Sequence, residues 1–513
     1  MSKNKKDLVI DNKVAVLNQK LKDNLIFESL KENLLKMRDL FKDDDTFVTR
    51  EFENNYDPSL KYGLIYCNGL IDAYIVNENL IKPLMTSSKV LSKDKIITEL
   101  LSHVITISEI KKTNKIKDII ENITYGDIAL FIDGVDEVLL INTKKFFVRP
   151  VTEPVNEQIL VGPREGFNEY LYVNLSLVRR KLRTNDLKFK YLTLGDKTNT
   201  QVCLGYIDSI VDKKILKLLY KRLKNIKIDG VLDVNYLTEL IRDNSYTPFR
   251  STGYTEKPDT IVGKLLEGRI AIFVDGSPVV LTVPFLFVEN FQSSEDYYLN
   301  FFYSFFTRLI RILGFFFTIA VPAIYIAIVA FHHEMIPTPL LINVAIERES
   351  APLPASVELP ILLFVFDILR ETGIRMPSNI GQALSIVGAL VIGQAAVEAK
   401  LVAAPIIIVV AFTGITALLV PKLNAPIVFV RIILFFLSAS FGLVGLVCGL
   451  ALLFIHILNL KSFGVSQLNL DGQFKFQNIK DQLFRAPWGK MKRRPPMLAP
   501  GNVKRMSKAG VKN

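Results

Sequence analysis

The sequence predicts an α+β soluble region of about 300 residues followed by a bundle of membrane-spanning helices, and three observations carry that reading. Up to about Asn300, Lys, Asp, Glu and aliphatic residues are mixed as in a globular protein; beyond it, long uncharged runs take over. Half of the 513 residues are apolar while 22% are charged, which fits together only if the apolar residues are segregated along the chain. Within the first part, strand and helix patterns follow one another in mixed order, the mark of an α+β region.

Three segments of the soluble region share a β-rich run ending in Asn-Gly or Asp-Gly. They begin at Leu64 (LIYCNG), Ala129 (ALFIDG) and Ala271 (AIFVDG). These dipeptides supply the positive φ angles of tight turns, so the second and third read as hairpins. The first is soon followed, after Ile71-Asp72, by a helical pattern. Strands are predicted over 188–193 and 201–207, then a helix over 211–226 with Ile215, Leu218, Leu219 and Leu223 on one face. Shorter helices are predicted over 234–243 and 260–266. A break near Pro150–Gly166 divides the region into subdomains 44–150 and 151–300, and residues 1–43 read as a separate helical arm.

The basic start of the chain has no apolar stretch behind it, so no secretory signal is read there and the soluble region is expected on the cytoplasmic side. Cys67, Cys203 and Cys448 lie far apart with no CxxC pair and read as reduced, structural cysteines.

Spanning the hydrocarbon takes about 20 apolar residues in helical form. Four stretches of the 301–460 transmembrane domain qualify: 312–331, 380–397, 401–420 and 432–458. The run 359–368 is shorter and contains Asp367, so it reads as a re-entrant or interfacial helix. The tail 461–513 carries 12 Lys or Arg against Asp471 and Asp481, net +10, which assigns it to the cytoplasm. With both ends cytoplasmic the crossings must be even in number, and four fit. The basic run from Lys490 suits anionic headgroups, but a solvated, disordered topology signal is the simpler reading. The tail holds nearly all of the excess charge, so no nucleic-acid partner is assigned.

No phosphate-loop, dinucleotide, HExxH or GxSxG motif occurs, so no catalytic residue, cofactor or metal is assigned and an enzyme is not expected. His332-His333-Glu334 reads as an interfacial cap, because sequence neighbours point to different sides of a helix. Gly195-Asp-Lys-Thr reads as a turn between strands. Arg164, Glu165 and Arg269 read as structural ion pairs rather than couplers. Gly445 and Gly449 form a GxxxG packing face, and Pro322 predicts a kink.

The second predicted span carries the most informative pattern. At 100° per residue, Leu384, Val387, Val391, Gln394 and Glu398 share one narrow face, while small residues fill much of the other side. One reading is a lumen with an apolar neck and an acidic ring of Glu398 at the cytoplasmic mouth. The other is packing, with Gln394 bonded across helices and Glu398 merely at the membrane end. Arg370, Glu371 and Arg375, beside the short helix, are the gating or coupling candidates, since charges next to a membrane segment are costly unless paired.

Several segments together resemble one family, the A subunits of bacterial spore germinant receptors (the GerA family). They are Gly162-Pro-Arg-Glu-Gly-Phe167 with Leu177-Val-Arg-Arg180, Thr255-Glu-Lys-Pro-Asp259 with Leu265-Leu-Glu-Gly-Arg269, and Phe273-Val-Asp-Gly-Ser-Pro278 with Phe291-Gln-Ser-Ser-Glu-Asp-Tyr-Tyr298. Leu369-Arg-Glu-Thr-Gly-Ile-Arg-Met-Pro377, running on to Glu398, completes the set, and the resemblance covers roughly 44–460. It implies a receptor component in the inner membrane of the spore, partnered by a transporter-like B subunit that binds the nutrient and a lipoprotein C subunit. It further implies a homo-oligomeric ring, a pentamer, that conducts monovalent cations. A non-conducting scaffold and a stage V sporulation paralogue remain open alternatives; a lone secondary transporter is disfavoured by the near absence of ionisable residues in the spans.

Overall fold

The computed structural model describes residues 25–88, 96–107, 109–145, 157, 159–375, 391, 393–468, 481 and 485–505. Two five-stranded antiparallel sheets organise the soluble region. The first contains β1 (Phe47–Glu53), β2 (Lys61–Cys67), β3 (Ile110–Thr113), β4 (Asp127–Ile132) and β5 (Val138–Asn142) in the order β1-β2-β4-β5-β3. The second contains β6 (Leu187–Leu194), β7 (Thr200–Ile207), β8 (Gly253–Thr255), β9 (Ile270–Val274) and β10 (Val280–Val283) in the order β6-β7-β9-β10-β8. The two orders are the same, so the region is a structural duplication.

The helices repeat with the strands. In the first unit, α1 (Leu30–Leu40) covers one face of its sheet, with Leu30, Leu34 and Met37 against Ile65, Ala129 and Phe131. The segment α2 (Ile116–Ile123) leads into β4 on the same face. In the second unit, α3 (Leu171–Lys181) puts Leu171, Leu175 and Val178 against Phe189, Cys203 and Phe273. The opposite face is covered by α4 (Lys213–Lys224) and α5 (Val234–Ile241), through Ile215, Leu219, Leu223, Leu237 and Ile241. The segment α6 (Pro258–Leu266) leads into β9. Residues 30–40 are therefore an integral layer of the first unit rather than a separate arm.

Equivalent hydrogen bonds fix both copies. The predicted hairpins at Asp133-Gly134 and Asp275-Gly276 form, and each carboxylate then caps the leading helix of its own unit. Asp133 accepts from Leu30 N at 2.9 Å and Asp275 from Leu171 N at 3.1 Å. Asn33 and Asn174 each clasp the backbone six residues upstream through both amide atoms. At the first Asn-Gly no hairpin forms: β2 ends in a turn and a short helix, Ala73–Val76, follows.

A buried ion pair joins the two units. Arg179 Nη2 donates to Asp44 Oδ2 at 2.8 Å and to Thr46 Oγ1 at 3.0 Å, and both charged side chains are excluded from solvent.

The apolar half begins with α7 (Phe301–Phe331), which rises from the second unit with Pro322 buried inside a continuous helix. The segment α8 (Thr338–Glu349) lies beyond its far end. Next, α9 (Ala355–Arg375) is one helix of 21 residues, so the predicted short re-entrant helix 359–368 extends in both directions. Glu371 and Arg375, spaced i,i+4, and Asp367 and Arg370, spaced i,i+3, keep the charged end helical. The segment α10 (Ala404–Ala417) has 14 residues.

The final predicted span is not a single pass. The helix α11 (Asn424–Asn459) breaks at Gly442, whose φ of 61° and ψ of −142° lie where only glycine is at ease. Its second half folds back on the first. A Cβ at Gly449 would lie 2.7 Å from Leu434, so the GxxxG face packs within this helical hairpin. Among the described residues, α7 and α11 are long and apolar enough to cross a membrane, and the predicted count of four spans is not established.

Candidate functional site

Helix ends locate those predicted site residues that are described. Gly442 meets Phe331 and His332, so this is the end of the bundle remote from the soluble units. His332 there caps α7, with Nδ1 3.2 Å from the Ala327 carbonyl oxygen. The start of α9 belongs to the same end, because Leu359 and Leu363 pack with Ile326 and Phe435. Ala403 N donates to Glu358 there, which brings in the start of α10. The opposite end lies against the soluble region. Lys422, in the turn between α10 and α11, pairs with Glu157 at 2.9 Å, and Thr247 Oγ1 lies 3.0 Å from His456 Nε2.

On this frame Glu398 sits at the remote end, five residues before Ala403, and not at a mouth facing the soluble region as predicted. Glu398 ends the described helical stretch 393–398. Its last turn closes with Leu401 N donating to Ala396 O and Lys400 N to Val397 O, while Lys400 takes a φ of 57°. Val391 is 56% exposed, and Gln394 and Glu398 are exposed, with Gln394 Nε2 donating to Glu398 Oε1 at 2.9 Å. Leu384 and Val387 lie outside the described residues.

The three gating candidates divide. Arg370 contacts Asp367 at 3.3 Å, and Asp367 also binds Arg431 of α11, so it belongs to a cross-helix triad inside the bundle. Glu371 and Arg375 pair with each other at 2.6 Å on an exposed surface, where such a pair contributes little. Arg431 was missed in the sequence because it stands just outside a predicted span, with its partner on another helix.

A clamp at the base of α7 was also missed. Asp296 receives Arg311 at 2.9 Å and Arg308 at 3.4 Å, and Arg308 Nη1 also donates to the Asp481 carbonyl at 3.0 Å. Arg308 and Asp296 are fully buried. Tyr297 OH donates to Asp481 Oδ2 at 3.0 Å. Burial pushes the Asp481 carboxyl up to about 6 despite Arg308 beside it. The described part of the tail, predicted to be solvated, continues from here as a docked strap. Arg485 donates to the Leu299 and Tyr297 carbonyls, Arg494 donates to Leu266 O, and Leu498 and Ala499 are buried, Ala499 in the core of the second unit. The strap and the soluble units therefore share one side of the bundle.

Beside the clamp lies a third charged group. Arg269 binds Glu289 and donates to Pro284 O at 2.7 Å, and Lys264 pairs with Glu289 at 2.7 Å. Burial pushes the Glu289 carboxyl up, but the two cations outweigh it and hold it below the usual range. Burial, aided by Arg269, lowers the Lys264 ammonium. Glu165 pairs with Arg180 and with Lys181 at 3.0 Å. Arg269 and Glu165 thus stand in internal ion pairs, as predicted.

A duplicated α/β region whose second unit is clamped to the base of an apolar helical bundle defines a protein with a soluble head on a membrane-type anchor. The chain belongs to the Bacillus/Clostridium GerA spore germination protein family, whose profile matches residues 35–497. Spore germination protein KA of Bacillus subtilis (strain 168) is 38% identical over 486 residues, covering 94% of this chain and 89% of that protein. The uncharacterized membrane protein YfkQ of the same organism is 38% identical over 503 residues, covering 97% of each chain. Spore germination protein GerLA of Bacillus cereus is 35% identical over 438 residues, covering 85% of this chain and 89% of that protein. Among solved structures, the N-terminal domain of the A subunit of the Bacillus megaterium spore germinant receptor GerK3 is 31% identical. It covers 52% of this chain and 98% of its own, with a TM-score of 0.41.

Proposed function

We propose that this chain is the A subunit of a nutrient germinant receptor, and that copies of it form a ring conducting monovalent cations when nutrient binds elsewhere in the complex. The observation that carries the reading is the face of Val391, Gln394 and Glu398, which the chain's own helices leave uncovered. An exposed carboxylate and amide at the end of a membrane-type helix are accommodated by water or by another subunit. A ring supplies both. The apolar side chain at 391 then narrows the lumen, and the carboxylates at 398 attract cations at the end remote from the soluble units.

In this reading the nutrient is bound by a transporter-like B subunit, a lipoprotein C subunit completes the receptor, and this chain performs no covalent chemistry. The complex resides in the inner membrane of the spore, with the soluble units and strap on the cytoplasmic side. Gating movements reach the soluble units through Lys422–Glu157, the Arg308 clamp and the triad of Asp367, Arg370 and Arg431. Cysteine substitution at Gln394 tests the ring: cross-linked A-chain multimers in membranes support it, and cross-linking no greater than for a cysteine on the exposed face of α8 contradicts it.

A further inference from the structure

Beneath the bundle, the second soluble unit, the turn at Lys422 and the strap enclose a cavity of about 430 Å³. That volume is within the roughly 300–1,000 Å³ of small-ligand sites. Its carboxylates are mostly engaged internally: Glu157 by Lys422 at 2.9 Å, Glu289 by Lys264 at 2.7 Å and by Arg269. Burial pushes the Glu157 carboxyl up, yet Lys422 and the donors around it keep it ionised, below its usual range. Two lining guanidiniums are left over. Arg250 stacks on Tyr254 at 4.4 Å and Arg505 on Trp488 at 5.6 Å, and neither has an acidic partner among the described residues. Glu267 pairs with Arg269 at 3.5 Å, and the fourth lining carboxylate, Asp259, accepts from Tyr298 OH at 2.7 Å through Oδ2, while its Oδ1 is buried without a hydrogen-bond partner among the described residues.

We propose that this cavity binds a phosphate-bearing anion between Arg250 and Arg505, with Asp259 accepting a hydrogen bond from a hydroxyl or ammonium on the same ligand. Stacking orients a guanidinium and leaves its donor edge for an oxyanion, and phosphate, with more oxygens and charge than a carboxylate, suits two of them. The site adjoins the turn between two bundle helices, where basic pockets meet lipid phosphates. The same chemistry is offered by an anionic phospholipid headgroup and by a free phosphate ester. Pairing the polar end with Asp259 selects headgroups such as phosphoglycerol over bare phosphate.

Trp488 lines the cavity and is the only tryptophan of the chain, so its fluorescence reads the site directly. The full-length protein is placed in phosphatidylcholine liposomes and titrated with phosphatidylglycerol, or separately with glycerol 3-phosphate. A saturable change in emission is expected. The half-point moves up by at least about tenfold in Arg250→Gln/Arg505→Gln, as expected for lost charge-assisted contacts. Response to the lipid alone identifies a headgroup, and an equal response to glycerol 3-phosphate identifies a free ester; both uphold the anion site. No response to either in the native chain overturns the proposal. So does an equal response to acetate at matched ionic strength, or a native-like half-point in a folded double variant.

Discussion

Replacing Arg179 by Met should loosen the joint between the two soluble units, and the size of the effect follows from its surroundings. The guanidinium is 1% exposed and donates to Asp44, Thr46 and, at 3.3 Å, the Leu187 carbonyl. It also stacks at 4.9 Å on Phe189. Removing it strands the Asp44 carboxylate, which among the described residues keeps Thr46 N and Oγ1 as donors, at 3.1 and 2.7 Å. Breaking a buried pair from one side costs about 3–5 kcal/mol, because an uncompensated charge remains. Cys67 and Cys203 lie beside the pair, both buried, with burial pushing both thiols up, so alkylation reads local opening. With Cys448 replaced by Ser, labelling of the two thiols should accelerate by roughly 100- to 3,000-fold if that cost falls on the opening equilibrium. Adding Asp44→Asn should recover more than half of the loss, because the stranded charge is gone. Acceleration below about tenfold in the single variant would refute the reasoning, since the charges would then be solvated or paired elsewhere.

Three further outcomes are expected. Gly442→Ala places a Cβ 2.8 Å from His332 and 3.0 Å from Phe331 at a positive φ, so a Leu434→Cys/Gly449→Cys disulfide that forms in the native background should fail. Arg431→Met strands Asp367 with Arg370 alone and should lower the thermal midpoint of the detergent-solubilised protein, with Asp367→Asn restoring most of it. The carboxyl of Asp481, facing Arg308, Tyr297, Glu267 and Lys264, titrates near 6 when docked and near about 3.9 when free. The docked strap therefore binds protons more readily, so docking is weakest above pH 6 and strengthens as pH falls toward 4. Limited proteolysis at Lys490–Arg493 should slow at pH 5 relative to 7.5, and the Asp481→Asn variant should lose that difference.

The parts of the fold legible in sequence are those written over a few consecutive residues. Asp133-Gly134 and Asp275-Gly276 dictate hairpins locally, and the 3.6-residue spacing of Ile215, Leu219 and Leu223 dictates α4. Their second role was not legible: Asp133 caps a helix 103 positions away, and that cap shows α1 to be part of the first unit. In the bundle, composition misled twice. The short apolar run 359–368 with Asp367 inside it suggested a re-entrant or interfacial helix, yet Asp367 and the charges that follow neutralise one another and α9 continues. Gly442 is embedded in the uncharged run 432–458, although 27 residues in one helix would extend about 40 Å, beyond the hydrocarbon, which was the available signal. The clamp joins Asp296 and Arg308, 12 positions apart, to Asp481, 173 positions beyond Arg308, and no local pattern announces it.

The face at 391–398 is tested most directly by potassium flux from cells or spores carrying the assembled receptor, comparing the native chain with Val391→Ala and Glu398→Gln. A lumen predicts nutrient-independent leak when the side chain at 391 is shortened, and reduced preference for cations over anions when the carboxylate at 398 is neutralised. Unchanged flux and selectivity in both variants, at native assembly, would contradict it and leave that helix as packing in a non-conducting scaffold.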